Sequence, residues 1–221
     1  MAERQHDRLL GIDTVGLREW RAKDTSYNRY EATPYRALEK LFRRYKFNSN
    51  DEVVDFGCGR GRVAFAIHHR FHVPITGIEA NDKTFDELLR NKSRYREKAR
   101  HISAPLRFEF GLAEHYNIKP TENKFYLFNP FSGKIFKQVV ENIHNSLRKH
   151  PRPAEVILYY PLEEYKTHLR KNSFVLINKL RVPDAVDKYD KFLIYRYKPR
   201  RDRVQEKLRT NTKAHTIRQP I

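Results

Sequence analysis

Only one of the 221 residues is cysteine, one is methionine, one is tryptophan, and eight are glycine. A lone cysteine excludes an internal disulfide framework and a multi-cysteine metal site, and it suits a reducing compartment. No run approaches the roughly 18 uninterrupted apolar residues of a membrane helix. The start, MAERQHDRLLGID, lacks the apolar stretch of a secretory signal. These absences lead us to expect a cytoplasmic protein without a membrane partner. Acidic residues are also scarce: 27 Asp and Glu stand against 45 Lys and Arg, for a net charge of +18. Such a chain is drawn to polyanions, of which nucleic acid is the most abundant. RNA or a ribonucleoprotein is therefore the expected partner.

What is present suffices for one well-buried domain. Thirteen per cent of the residues are aromatic, enough to supply bulk to a core. TPYRALEKLFRRYKF (33–47) predicts a helix, with Thr33 as cap, Pro34 in the first turn, and Leu38, Leu41, Phe42 and Tyr45 on one face. Strands are expected at EVVDF, PITGIEA, LRFEF, KFYLF and AEVILYY, with helices between them; that after PITGIEA is capped near Asn81 or Asp82. A short helix is expected around 162–170. SFVLINKLRV and KYDKFLIYRYK then follow with only a short loop between them, which predicts an antiparallel hairpin. Five β–α steps and a closing hairpin describe an α/β fold. Its sheet is doubly wound, seven-stranded and mainly parallel, with ligands at the carboxyl ends of the strands.

Three of the eight glycines fall within five positions of DFGCGRGR (55–62), after the first strand and before a helix. Glycine there permits a tight turn and lets backbone amides meet a ligand without a Cβ in the way. Glu79 ends the second strand, 22 residues beyond Gly57. A carboxylate in that position accepts hydrogen bonds from both ribose hydroxyls of an adenosine. A pyridine-nucleotide dehydrogenase is the competing reading, but its GxGxxG spacing differs from the GxGxG found here.

On these residues the chain, from about Tyr30 to Tyr197, resembles the class I S-adenosylmethionine-dependent methyltransferases, whose fold is Rossmann-like. VVDFGCGRGR is similar to their first motif, GIEA to their second and FNPF to their fourth. The resemblance implies S-adenosyl-L-methionine as cofactor. Gly57, Gly59 and Gly61 would pass its methionine part, Asp55 would help hold its amino group, and Glu79 would take its ribose. In the family an acid often follows the third strand and binds adenine. Leu112 stands there instead, implying packing on the adenine ring, with Glu114 as a substitute if the register differs. Tyr30, in an arm before the first helix, would form a pocket wall.

FNPF is similar to the Asn/Asp-Pro-Pro-aromatic motif of enzymes that methylate amino nitrogens, although it has one proline in place of two. The resemblance gives Asn129 the role of holding the acceptor NH₂, and Phe131, beyond Pro130, that of stacking on a planar substrate. Other chemistries are less suited. C5-pyrimidine methylation needs a nucleophilic cysteine, and Cys58 lies inside the cofactor turn. No carboxylate cluster stands out for metal-assisted O-methylation. His68 and His72, spaced i, i+4, read as surface histidines without a third ligand, so no metal is expected.

The expected organisation is an N-terminal arm at 1–29, a methyltransferase domain at 30–198 and a basic tail at 199–221. The tail holds seven Lys/Arg against two acids, a net of +5 that leaves +13 on the rest. It is expected to be disordered alone and to contact the polyanion. Two other readings stay open: methylation of a small molecule or protein, and a non-catalytic RNA-binding module.

Overall fold

Short runs of β-branched and aromatic residues alternate with amphipathic segments, and the two kinds of element settle into layers. The computed structural model describes residues 2–18, 26–183, 185 and 187–199. Trp20 and residues 200–221 of the basic tail lie outside them. In chain order the elements are α1 (Ala2–Leu10), α2 (Tyr35–Arg44), β1 (Val53–Phe56), α3 (Arg62–Phe71), β2 (Ile75–Glu79), α4 (Asp82–Lys98) and β3 (Leu106–Phe110). There follow β4 (Lys124–Phe128), α5 (Gly133–Lys149), β5 (Glu155–Tyr159), α6 (Glu163–Lys171), β6 (Phe174–Arg181) and β7 (Lys191–Tyr197).

The strands form one sheet in the order β3-β2-β1-β4-β5-β7-β6. The first five are parallel, and β7 inserts antiparallel between β5 and β6. This is the doubly wound, mainly parallel sheet with a closing hairpin that the sequence predicts. One face is covered by α5 and α6, through side chains such as Phe136, Val140, Ile143 and Tyr165. The other is covered by α2, α3 and α4, with Leu38, Leu41, Phe65 and Leu88 among the buried contacts. Strand order reverses between β1 and β4, which places the glycine turn and the Asn129–Phe131 stretch side by side at the carboxyl edge.

Local details differ from expectation at three places. Thr33 does not cap α2: its hydroxyl meets the Tyr126 hydroxyl at 2.8 Å, Pro34 takes the cap position, and Tyr45 lies just past the helix end. His68 is buried, not a surface histidine; its ring bridges the Tyr95 hydroxyl (2.8 Å) and the Ala104 carbonyl (2.9 Å). The N-terminal arm contains a helix, α1, whose Asp7 is buried and accepts from the Thr14 amide (2.6 Å) and the Tyr35 hydroxyl (2.7 Å). The buried Arg62 completes this knot, donating to Thr14 Oγ1 at 2.7 Å and pairing with Glu3 and Asp7. A charge so enclosed is tolerated only with such partners. The knot ties residues 2–18 to α2 and α3, next to the glycine turn.

Candidate functional site

β1 ends in Asp55-Phe56, and the turn Gly57–Gly61 follows with φ of +70°, +57° and +89° at its glycines. Each glycine answers a different close approach. A Cβ on Gly57 would lie 2.5 Å from Pro130, one on Gly59 2.3 Å from the Tyr30 ring, and one on Gly61 2.5 Å from Leu88. Gly57 and Gly59 line a cleft of about 620 Å³, mouth included. Gly61 does not line it: the glycine faces Leu88 and Phe65 and serves the packing of α3 on α4.

Glu79 lies at the end of β2, buried against this turn. Its Oε2 accepts from the Gly59 amide at 2.8 Å and its Oε1 from the Asn81 amide at 2.7 Å. Burial raises its pKa above the ordinary carboxyl value. Asn81 in turn caps α4, its side-chain oxygen accepting from the Thr84 amide at 3.0 Å. Asp55 lines a smaller chamber below the cleft, beside Tyr30, Gly57 and Cys58. Its Oδ2 is buried without a hydrogen-bond partner among the described residues. Burial, with the nearby Glu79 charge, pushes its pKa up to about 8. A buried, unpartnered carboxyl oxygen is costly unless something comes to meet it. The Cys58 thiol is pushed up by burial as well, which keeps it from acting as a nucleophile.

Tyr30 forms a wall. Its ring covers Gly59, its hydroxyl donates to the Thr14 carbonyl at 2.6 Å, and the Arg60 guanidinium lies 5.0 Å from the ring centroid. Across the cleft, Gly111 and Ala113 are lining residues, whereas Leu112 between them is 38% exposed and is not. Glu114 does not line the cleft either; its carboxylate accepts from the Tyr27 hydroxyl at 2.9 Å.

At the end of β4, Asn129 takes φ +38°, a left-handed conformation that asparagine tolerates better than most residues. Residues 26–31 pass over this stretch as a strap. Ser26 accepts from the Ser132 amide (2.7 Å), Tyr27 bridges to Phe131, and the Asn28 amide donates to the Pro130 carbonyl (3.0 Å). The Asn28 carboxamide nitrogen also donates to the Asn129 carbonyl (2.7 Å) and to Asn129 Oδ1 (3.3 Å). Pro130 and Phe131 line the first cleft, but Phe131 is 1% exposed, packed under Tyr27 in the core. The expected stacking platform is therefore a buried ring. Asn129 lines a second basin on the other side of the strap, with Phe128, Tyr159, Tyr160, Asp187 and Asp190. The strap and Phe128 border both spaces. The cap expected near Asn81 or Asp82 is Asn81. Asn28, Tyr159 and Tyr160 are not among the expected site residues, and nothing in their local pattern marks them. Among the described residues no three His, Cys, Asp or Glu side chains cluster as a metal site would require.

No protein-family profile matches the chain. Over 63 residues it is 33% identical to a protein-lysine N-methyltransferase of Saccharolobus islandicus, a stretch that spans 28% of this chain and 39% of that protein. Among solved structures it is similar to Aeropyrum pernix fibrillarin with bound S-adenosyl-L-methionine, at 16% identity and TM-score 0.51 over 73% of each chain. It is also similar to an RNA methyltransferase from Salinibacter ruber with bound S-adenosyl-L-homocysteine. There the identity is 14% and the TM-score 0.52, over 76% of this chain and 92% of the other. With its strand order, antiparallel seventh strand and acid-bounded glycine turn, the chain has the Rossmann-like fold of the class I S-adenosylmethionine-dependent methyltransferases.

Proposed function

We propose that this protein transfers a methyl group from S-adenosylmethionine to an amino nitrogen of RNA or of a ribonucleoprotein component. The observation that carries the enzymatic half is the pair of buried acids on either side of the glycine turn, one with an unpartnered oxygen. The residues present fit the cofactor. Asp55 Oδ2 suits its amino group, Glu79 its ribose hydroxyls, and the Gly57–Gly59 backbone a closely approaching chain. Gly111 and Ala113, rather than the Leu112 side chain, would lie along its adenine. When bound, the cofactor supplies an electrophilic methyl group on a sulfonium.

The chain's own residues then have positioning to do. Asn129 offers its side-chain oxygen and its carbonyl to one NH₂ group, the pair of acceptors the Asn28 carboxamide now occupies. Holding the acceptor NH₂ there aims the nitrogen lone pair and removes much of the entropic barrier. The RNA half of the proposal is supported by the +18 net charge. A lysine of a ribonucleoprotein is supported by the partial match to a protein-lysine methyltransferase.

Asp55 makes the reading pH-dependent. Native Asp55 keeps its proton up to about pH 8, whereas the unfolded carboxyl, at 3.8, loses it far earlier. Its contribution to stability is thus full below pH 4 and is lost as pH rises toward 8. A cationic amino group arriving beside it displaces the proton. Calorimetry at pH 6.5 in buffers of different ionisation enthalpy should therefore show proton release on cofactor binding, absent in Asp55→Asn.

The function as a whole is tested with radiolabelled S-adenosylmethionine in an extract from a strain lacking this protein. Label removed by ribonuclease, or protease-sensitive label on ribonucleoprotein particles, is the expected result. Label confined to small molecules would contradict the acceptor, and no label from a chain that binds the cofactor would contradict catalysis.

A further inference from the structure

Beside the second basin the surface is strongly cationic. Arg181, on the edge strand β6, stands directly opposite Lys191 on β7, and Lys179 lies two residues along on the same face. Like charges directly opposite each other in a sheet are destabilising. Lys166 on α6 and Lys188 before β7 join them. Partial burial, and after it these four cations, lower the Lys191 pKa. Lys166 pairs with Glu163, whose carboxylate also feels the Lys191 charge, and the Asp187 carboxylate feels those of Lys188 and Lys191. Among the described residues, however, no ion pair within 4.0 Å involves Lys179, Arg181, Lys188 or Lys191, which leaves the ridge net cationic.

Aromatic rings lie among these charges. Tyr189 is 36% exposed, with the Lys188 and Lys191 ammonium groups 5.1 and 5.6 Å from its ring centroid. It meets Tyr160 at 5.6 Å, and Tyr160 lines the basin that holds Asn129. Lysine on an edge strand is a common guard against strand pairing between molecules. That explains Lys179 and Arg181. It does not explain Lys191, which is on an inner strand, or Lys166 and Lys188, which are on no strand.

We propose that this ridge, Lys166, Lys179, Arg181, Lys188 and Lys191, docks the phosphate backbone of single-stranded RNA, with Tyr189 and Tyr160 stacking on bases at the basin mouth. Cations that track a backbone, interleaved with rings that accept any base, are what single-stranded nucleic acid requires. An acidic protein segment would use the cations but leave the rings without a role. The inference rests on the methyl-transfer reading only for what happens in the basin; the ridge itself is defined by charge and register.

The test is fluorescence anisotropy of a mixed-sequence single-stranded RNA oligonucleotide with the full chain, across a salt series. The comparison is the triple variant Lys179→Ala/Arg181→Ala/Lys188→Ala. The variant should bind at least ~10-fold more weakly, and its log–log salt slope should shrink by about 2, at ~0.7 for each phosphate no longer neutralised. It should melt no lower than the parent, because like-charge repulsion is relieved, and calorimetric affinity for S-adenosylmethionine should be unchanged. Equal RNA affinity and slope in parent and variant would overturn the ridge, as would parent protein that binds poly-glutamate as tightly as RNA. Cofactor titration separates the two readings. A chain that binds the cofactor with the ridge irrelevant to RNA retains the methyltransferase reading alone, and ridge-dependent RNA binding without cofactor binding retains the ridge alone.

Discussion

Glu79→Ala should lower affinity for S-adenosylmethionine by about 2 kcal/mol, roughly 30-fold, when titrated by calorimetry. The loss has two physical sources. Two charge-assisted hydrogen bonds to ribose disappear. The Gly59 and Asn81 amides also lose the acceptors that hold the turn and the start of α4 in place. The second source acts on the free protein as well, so the thermal midpoint of Glu79→Ala should fall. Glu79→Gln separates the two. One carboxamide oxygen can still take the Gly59 amide, so Gln should recover much of the lost stability while remaining a poor ribose acceptor. Unchanged cofactor affinity in Glu79→Ala would remove Glu79 from the site.

Asn129→Ala should lose turnover by about 100-fold while cofactor affinity stays within about twofold, since misplacing an acceptor by an ångström costs on that scale. Alanine is less at ease than asparagine at φ +38°, so backbone strain is a competing source of the loss. Asn129→Gly answers that objection, because glycine accepts this φ freely and still lacks the carboxamide. If Asn129 positions the acceptor, Gly should be as inactive as Ala, and Asn129→Asp, which keeps an oxygen, should retain more activity than either. Gly turning over like the parent protein would make the residue a turn-former and nothing more.

The parts of the site that the sequence reveals are those whose signal is local. An acid, a glycine cluster and a second acid after two short strands can be read without knowing what packs where. A mainly parallel sheet with an antiparallel end follows from β–α alternation and a loop too short for anything but a hairpin. The insertion of β7 between β5 and β6, by contrast, is set by packing and not by local pattern. The strap is different. Asn28 meets Asn129 across 101 residues of sequence, and no periodicity in SYNRYEATPY announces it. Phe131 shows the same limit from the other side. An aromatic residue at a strand end can serve as a substrate platform or as core, and only the ring of Tyr27 above it decides for core. Gly61 matches the cofactor motif in sequence, yet Leu88 and Phe65 are what exclude a side chain there. His68 falls in a basic helical stretch, but the Tyr95 hydroxyl and the Ala104 carbonyl draw it inside.

Two spaces share one strap, and this arrangement bears on how the site works. The Asn28 carboxamide hydrogen-bonds both the carbonyl and Oδ1 of Asn129, so on the proposed reading an incoming NH₂ would have to displace or replace it. Tyr30, in the same segment, covers the glycine turn and is anchored through Thr14 to the Arg62 knot. The N-terminal segment is thus part of both spaces rather than an appendage to them.

The most direct test of the central claim is a calorimetric titration of the full chain with S-adenosylmethionine, run beside the same titration with NAD. Saturable one-to-one binding of S-adenosylmethionine, with NAD failing to bind, is the expected result. No saturable binding of S-adenosylmethionine, or equal binding of NAD, would contradict the assignment of the cleft.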